Sequence, residues 1–137
     1  MSQNLTATNC RILATVSGTS SVGGLVGLTK GKLTVMNYTN LAPGKESGTI
    51  GILAKGLRVG GIAGFINNGE LYASNISLFH AIPQEDIDLK IIYSKDGSAG
   101  GLVGQLTNSS TSQIINAQVA APATVWGDSL ECTGRII

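Results

Sequence analysis

The residues equipped for catalysis or metal binding are few and scattered. His80 is the only histidine, so a Ser/His/Asp or Cys/His device would rest on it alone. It stands in Leu78-Phe79-His80-Ala81, close to Pro83, and reads as a loop histidine. Cys10 and Cys132 are the two cysteines, and two thiolates cannot complete a zinc site without other ligands. A disulfide needs Cα atoms within about 7 Å, whereas neighbouring strands are already ~4.8 Å apart and these cysteines are separated by several. Free thiols are expected, with Cys10 as a small buried apolar residue. Glu85, Asp86 and Asp88, with Asp96 nearby, gather carboxylate oxygens. They lack the alternating ligands and glycine of an EF-hand and read as a solvated loop. Asn4, Asn37, Asn75 and Asn108 begin glycan-acceptor sequons; Asn108, in a polar segment, is the one expected to carry a glycan if the host glycosylates. These residues assign no catalytic group, no metal and no cofactor, and the chain is expected to be non-enzymatic.

What recurs instead is glycine. Val22-Gly23-Gly24-Leu25-Val26-Gly27 returns as Val59-Gly60-Gly61-Ile62-Ala63-Gly64 and as Ala99-Gly100-Gly101-Leu102-Val103-Gly104, 37 and then 40 residues on. These glycines lack the Lys-Ser/Thr of a phosphate-binding loop and the strand-to-helix setting of a dinucleotide fingerprint. A fixed period of this size marks stacked supersecondary units. Read as an extended strand, the motif puts Leu25, Ile62 and Leu102 inward and Leu28, Phe65 and Gln105 outward. The flanking glycines then leave room for a neighbouring strand.

A second strand is predicted after each motif and an intervening loop: Leu33–Tyr38, Leu71–Ile76 and Ser112–Ala117, with Leu5–Cys10 in the same phase. Apolar alternation slips by one at Asn9, Asn37, Asn75 and Asn116, which marks a corner or bulge where asparagine tolerates the left-handed conformation. Stacked, these asparagines would form a ladder. A third strand, Ile50–Ala54 and then Ile87–Ile92, completes each repeat. Pro43, Pro83 and Pro122 fall between the second and third strands. Proline cannot donate to a ladder, so the segments around Pro43, His80, Pro83, Pro122 and Trp126 are expected to project as partner-binding loops.

Composition agrees with a single folded unit of 137 residues. Charged residues are 12% and the formal net charge is +1, which supports no nucleic-acid partner, since phosphate binding needs a concentrated basic patch. No run approaches the ~20 apolar residues of a membrane helix, and no membrane insertion is expected. Leu130–Ile137 overlays Ile52–Val59, so residues 125–137 read as a partial fourth repeat whose Gly-Gly would follow Ile137.

Gly23 to Asn37 and Gly60 to Asn75, with Gly31-Lys32-Leu33 and Gly69-Glu70-Leu71 inside them, resemble the GLUG motif of bacterial and protist surface proteins. In the third copy Ser109-Ser110-Thr111 stands where the motif has glycine. The resemblance implies an extracellular or cell-surface, adhesin-like repeat region, assumed to be a β-solenoid, and transfers no catalytic residue.

The expected fold is all-β: a parallel β-solenoid, right-handed by analogy, of about three coils with three strands each. The expected role is a filament, stalk or adhesin segment that self-associates through its ends or apolar faces. The alternative is a closed threefold β-prism or β-trefoil that binds a surface glycan or host protein. An aromatic content of 4% argues against it, because sugar sites commonly use aromatic faces. A glycosidase or lyase would need a cleft with paired carboxylates, for which the sequence gives no sign.

Overall fold

The computed structural model describes residues 3–12, 16–40, 52–54, 57–78, 90–107, 111–119, 124–127 and 133–134. These residues form an all-β structure with no helix among them. The strands are β1 (Leu5–Thr8), β2 (Arg11–Ile12), β3 (Val16–Gly18), β4 (Ser21–Gly23), β5 (Val26–Asn40), β6 (Ile52–Ala54) and β7 (Arg58–Gly60). They continue as β8 (Ala63–Leu78), β9 (Lys90–Ser94), β10 (Ser98–Gly100), β11 (Val103–Thr107), β12 (Gln113–Val119), β13 (Thr124–Gly127) and β14 (Thr133–Gly134).

Among the described residues every strand pairing is parallel, and the strands sort into three sheets. The first has the order β1-β5-β8-β11, with β2 also on β5 and β12 on β8; the second is β13-β9-β6-β3 and the third β14-β10-β7-β4. Parallel neighbours cannot be joined by a tight hairpin. The chain instead visits the first, second and third sheets in turn before returning to the first. Each return sets a strand beside the equivalent residues of the strand before it. Gly23 thus lies opposite Gly60, Gly60 opposite Gly100, and Leu33 opposite Leu71.

The core sits between the sheets. Leu33, Val35, Tyr38, Ile62, Ile66, Leu71, Ile76, Leu78, Ile92 and Leu102 are buried, and Leu25 is half-buried against them. Along β5 the burial alternates, with Leu33 and Val35 inside and Lys32 and Met36 exposed, and this period of two fixes which face packs.

Four sequence expectations are corrected. The glycine motif is not one extended strand: Gly24-Leu25, Gly61-Ile62 and Gly101-Leu102 are bends joining a strand of the third sheet to one of the first. Phe65, expected outside, is 9% exposed, because the Arg58 guanidinium lies over its ring at 4.3 Å. No loop separates the motif from the asparagine strand in the first two copies. β5 and β8 run through, with a bulge between Lys30 and Lys32 where Gly31 has φ 98° and Asn68 has φ 51°. At the far end Thr133-Gly134 pairs with Ala99-Gly100 rather than taking the place of Lys55-Gly56. The fourth motif thus begins at Gly134, and Arg135 follows where the others have their second glycine.

Candidate functional site

Asn9, Asn37, Asn75 and Asn116 all have positive φ, between 53° and 56°. Asparagine is among the few residues that adopt this conformation at modest cost. At each of these positions the strand turns aside for one residue: pairing passes from Met36–Ser74 to Tyr38–Ile76, omitting Asn37 and Asn75. Asn37 Nδ2 donates to Asn9 Oδ1 at 2.8 Å, Asn75 Nδ2 to Asn37 Oδ1 at 3.0 Å and Asn116 Nδ2 to Asn75 Oδ1 at 2.8 Å. The chain of amides runs in one direction on the exposed side, from the junction of β1 and β2 across β5 and β8 to β12. Because the amide of Asn37 and of Asn75 both donates and accepts in the chain, glycosylation of either residue would compete with it.

The glycine corners stack on one another. Leu25 N–H and Val26 N–H both donate to the Ile62 carbonyl, at 3.0 and 3.1 Å, and Ile62 and Ala63 donate likewise to the Leu102 carbonyl at 2.8 and 3.2 Å. Close approach explains the first glycine: a Cβ on Gly23 would lie 2.6 Å from Ala63 Cα, and one on Gly60 2.7 Å from Gly104 N. Beneath the second glycine is a buried polar pair. A Cβ on Gly24 would collide with the Tyr38 hydroxyl, whereas one on Gly61 would meet Leu78. Gly27, Gly64 and Gly104 sit where a side chain would strike the backbone of Ser21, Val22 or Val59.

Tyr38 and Asn40 interrupt two otherwise apolar rows, Tyr38 beside Ile76 and Asn40 beside Leu78. Both are fully buried. The Tyr38 hydroxyl donates to the Gly61 carbonyl at 3.4 Å and accepts from Asn40 Nδ2 at 3.3 Å, and Asn40 Oδ1 has no partner. Burial pushes the phenol pKa up from 10.0 to about 12, with Asn40 opposing the rise and Cys10 adding to it. Cys10, expected to be buried, is half-buried, as it lies between the end strands β1 and β2; its Sγ makes one weak contact, 3.6 Å to the Thr8 carbonyl.

On the outer faces Arg58 donates through Nε to Gln105 as well as covering Phe65. Lys32 Nζ lies 4.0 Å above the Tyr72 ring. A shallow groove of about 220 Å³ follows β8, lined by Thr34, Met36, Tyr72, Ser74 and Ile115 among others.

Pro43, His80, Pro83, Pro122, Cys132, Asn108 and the acidic run at 85–88 lie outside the described residues. Trp126 is corrected: its backbone belongs to β13, in register with Tyr93 of β9, and not to a projecting loop. Among the described residues, no three His, Cys, Asp or Glu side chains gather as metal ligands. Sequence reasoning missed the Tyr38–Asn40 pair and the Arg58–Phe65–Gln105 cluster. The pair had a signal, since the row of Asn40 elsewhere holds Ile12, Leu78 and Val119.

Comparison with protein-family models, with curated proteins and with solved structures finds no match for the chain.

Proposed function

We propose that the chain is a structural assembly module: a β-solenoid of GLUG-like repeats acting as a filament, stalk or adhesin segment at a cell surface, without catalytic activity. The observation that carries this reading is the register. Three parallel sheets each receive strands in sequence order, glycine beside glycine and asparagine beside asparagine. A fold in which each repeat contacts mainly its neighbours extends along one axis, and its energetics lie in the interfaces between successive repeats. Such a construction suits spanning a distance and presenting identical faces better than enclosing a substrate. The resemblance of Gly23–Asn37 and Gly60–Asn75 to surface repeats supports the location.

The test is sedimentation and light scattering across concentration, with electron microscopy of the same samples. Mass that grows into rods elongated along one axis supports an assembly module. A monomer at every concentration removes self-assembly as the function and directs screening to glycan and host-protein partners.

A further inference from the structure

The amide ladder has a direction, and its two ends are complementary. In every step the asparagine of the later strand donates Nδ2 to Oδ1 of the earlier one. At the first position Asn9 Oδ1 accepts from Asn37, while its Nδ2 has no partner among the described residues; at the last, Asn116 Nδ2 donates to Asn75 and its Oδ1 is likewise unfilled. A ladder of this polarity ends on a donor at β1 and β2 and on an acceptor at β12.

The packing around those ends is complementary too. Leu5 belongs to the row of Leu33 and Leu71, which are 0% and 1% exposed, yet Leu5 itself is 43% exposed. Ile12 at the same end, and Ile114, Ala117 and Val119 at the other, are only half-buried, although Val35, Tyr38, Ile76 and Leu78 in their rows are buried. Among the described strands, the outermost in the three sheets are β1, β3 and β4 at one end and β11 or β12, β13 and β14 at the other. Parallel pairing makes the free edge at one end the natural partner of the free edge at the other.

Resting on the assembly reading above, we propose that the partner is a second copy of this chain, docked head to tail. The β1–β2 end of one copy continues the β12 end of the next, and Asn9 Nδ2 donates to Asn116 Oδ1 across the joint. When the rows continue across that joint, Ile12 meets Val119 and Ala7 meets Ile114, while Leu5 meets Ser112. The contact is heterologous, so each addition regenerates the surface it consumed and growth is open-ended. A head-to-head pairing would set donor against donor.

Two measurements on the 137-residue chain test this. With Cys10 and Cys132 replaced by alanine, Thr8→Cys is placed in one copy and Ile115→Cys in another; both positions are exposed and share the row of Met36 and Ser74. In-register docking puts these thiols on adjacent strands, within reach of a short thiol cross-linker. Mixed copies should cross-link several-fold more than either copy with itself. Asn9→Asp keeps the acceptor for Asn37 and removes only the free donor, so association should weaken by about tenfold, the loss of one well-placed hydrogen bond opposed by a new acceptor, with thermal unfolding of the monomer unchanged. Assembled material that cross-links preferentially like with like, or that is indifferent to Asn9→Asp, overturns head-to-tail docking and leaves the assembly reading standing. Monomer at every concentration overturns both.

Discussion

Replacing Asn37 separates the two things the ladder asparagines do. Its amide makes two hydrogen bonds, at 2.8 and 3.0 Å, each worth about 0.5–1.5 kcal/mol net. Its backbone sits at φ 53°, where a residue with an ordinary Cβ costs roughly 1–2 kcal/mol. Asn37→Ala loses on both counts and should destabilise by about 2–4 kcal/mol. Asn37→Gly loses the hydrogen bonds but not the conformation, and gives back part of that advantage through the entropy of the unfolded chain, so it should be milder than alanine by about 0.5–1 kcal/mol. Asn9→Gly breaks one ladder bond instead of two and should be milder again by about 1 kcal/mol. Urea unfolding followed by circular dichroism reads all three. Equal effects of alanine and glycine at position 37 would refute the left-handed argument. Equal effects of glycine at positions 9 and 37 would refute the ladder.

Tyr38 makes stability pH-dependent at the alkaline end. Its folded pKa of about 12 stands above the ordinary 10.0, so the unfolded chain releases the proton first; stability holds below pH 10 and declines as pH rises toward 12, by about 2–3 kcal/mol in all. The wild-type minus Tyr38→Phe difference in melting temperature between pH 9 and 12 should show this fall, and a difference independent of pH would contradict it. Gly60→Ala would set a methyl 2.7 Å from Gly104 N and 2.8 Å from the Leu102 carbonyl. With backbone on both sides, it should cost more than about 4 kcal/mol and yield little folded protein, measured as soluble, β-rich material. Arg58→Ala uncovers Phe65 and removes the bond to Gln105, and should cost about 1 kcal/mol in urea unfolding.

The all-β class and the parallel sheets were legible because their signals are local and recur. A break in apolar alternation at the same phase is visible at Asn9, Asn37, Asn75 and Asn116, and all four have positive φ. The glycine motif was harder. Alternation assigns faces only within an extended segment, and Gly24-Leu25 is a bend whose geometry depends on the carbonyl of Ile62 in the next copy. The end register was misjudged for a similar reason. Gly134 aligns equally well with Gly56 or Gly60 by type, and the pairing with Gly100 decides it. Tyr38 was read as the end of an ordinary strand and Asn40 fell beyond it, since nothing in a linear sequence says that a hydroxyl will sit beneath a particular glycine. Phe65 was placed outside by its phase; the long side chain of Arg58, carried by a different sheet, covers it.

The spacing between strands differs sharply from one junction to another. At the glycine corners two residues always separate the strands, as between Gly23 and Val26, Gly60 and Ala63, or Gly100 and Val103. From the first sheet to the second, the sequence between strands runs from three residues, Ile12 to Val16, to eleven, Asn40 to Ile52. The pairings on either side are the same parallel ones in both cases. Sequence length at that junction thus varies while the pairings on either side stay the same, and doubling the length of a closed chain segment costs in general only about 0.6 kcal/mol in closure entropy. It is the natural place for an insertion, since added sequence there leaves the strands on either side in their pairings, whereas one extra residue at a glycine corner would shift the strand that follows it.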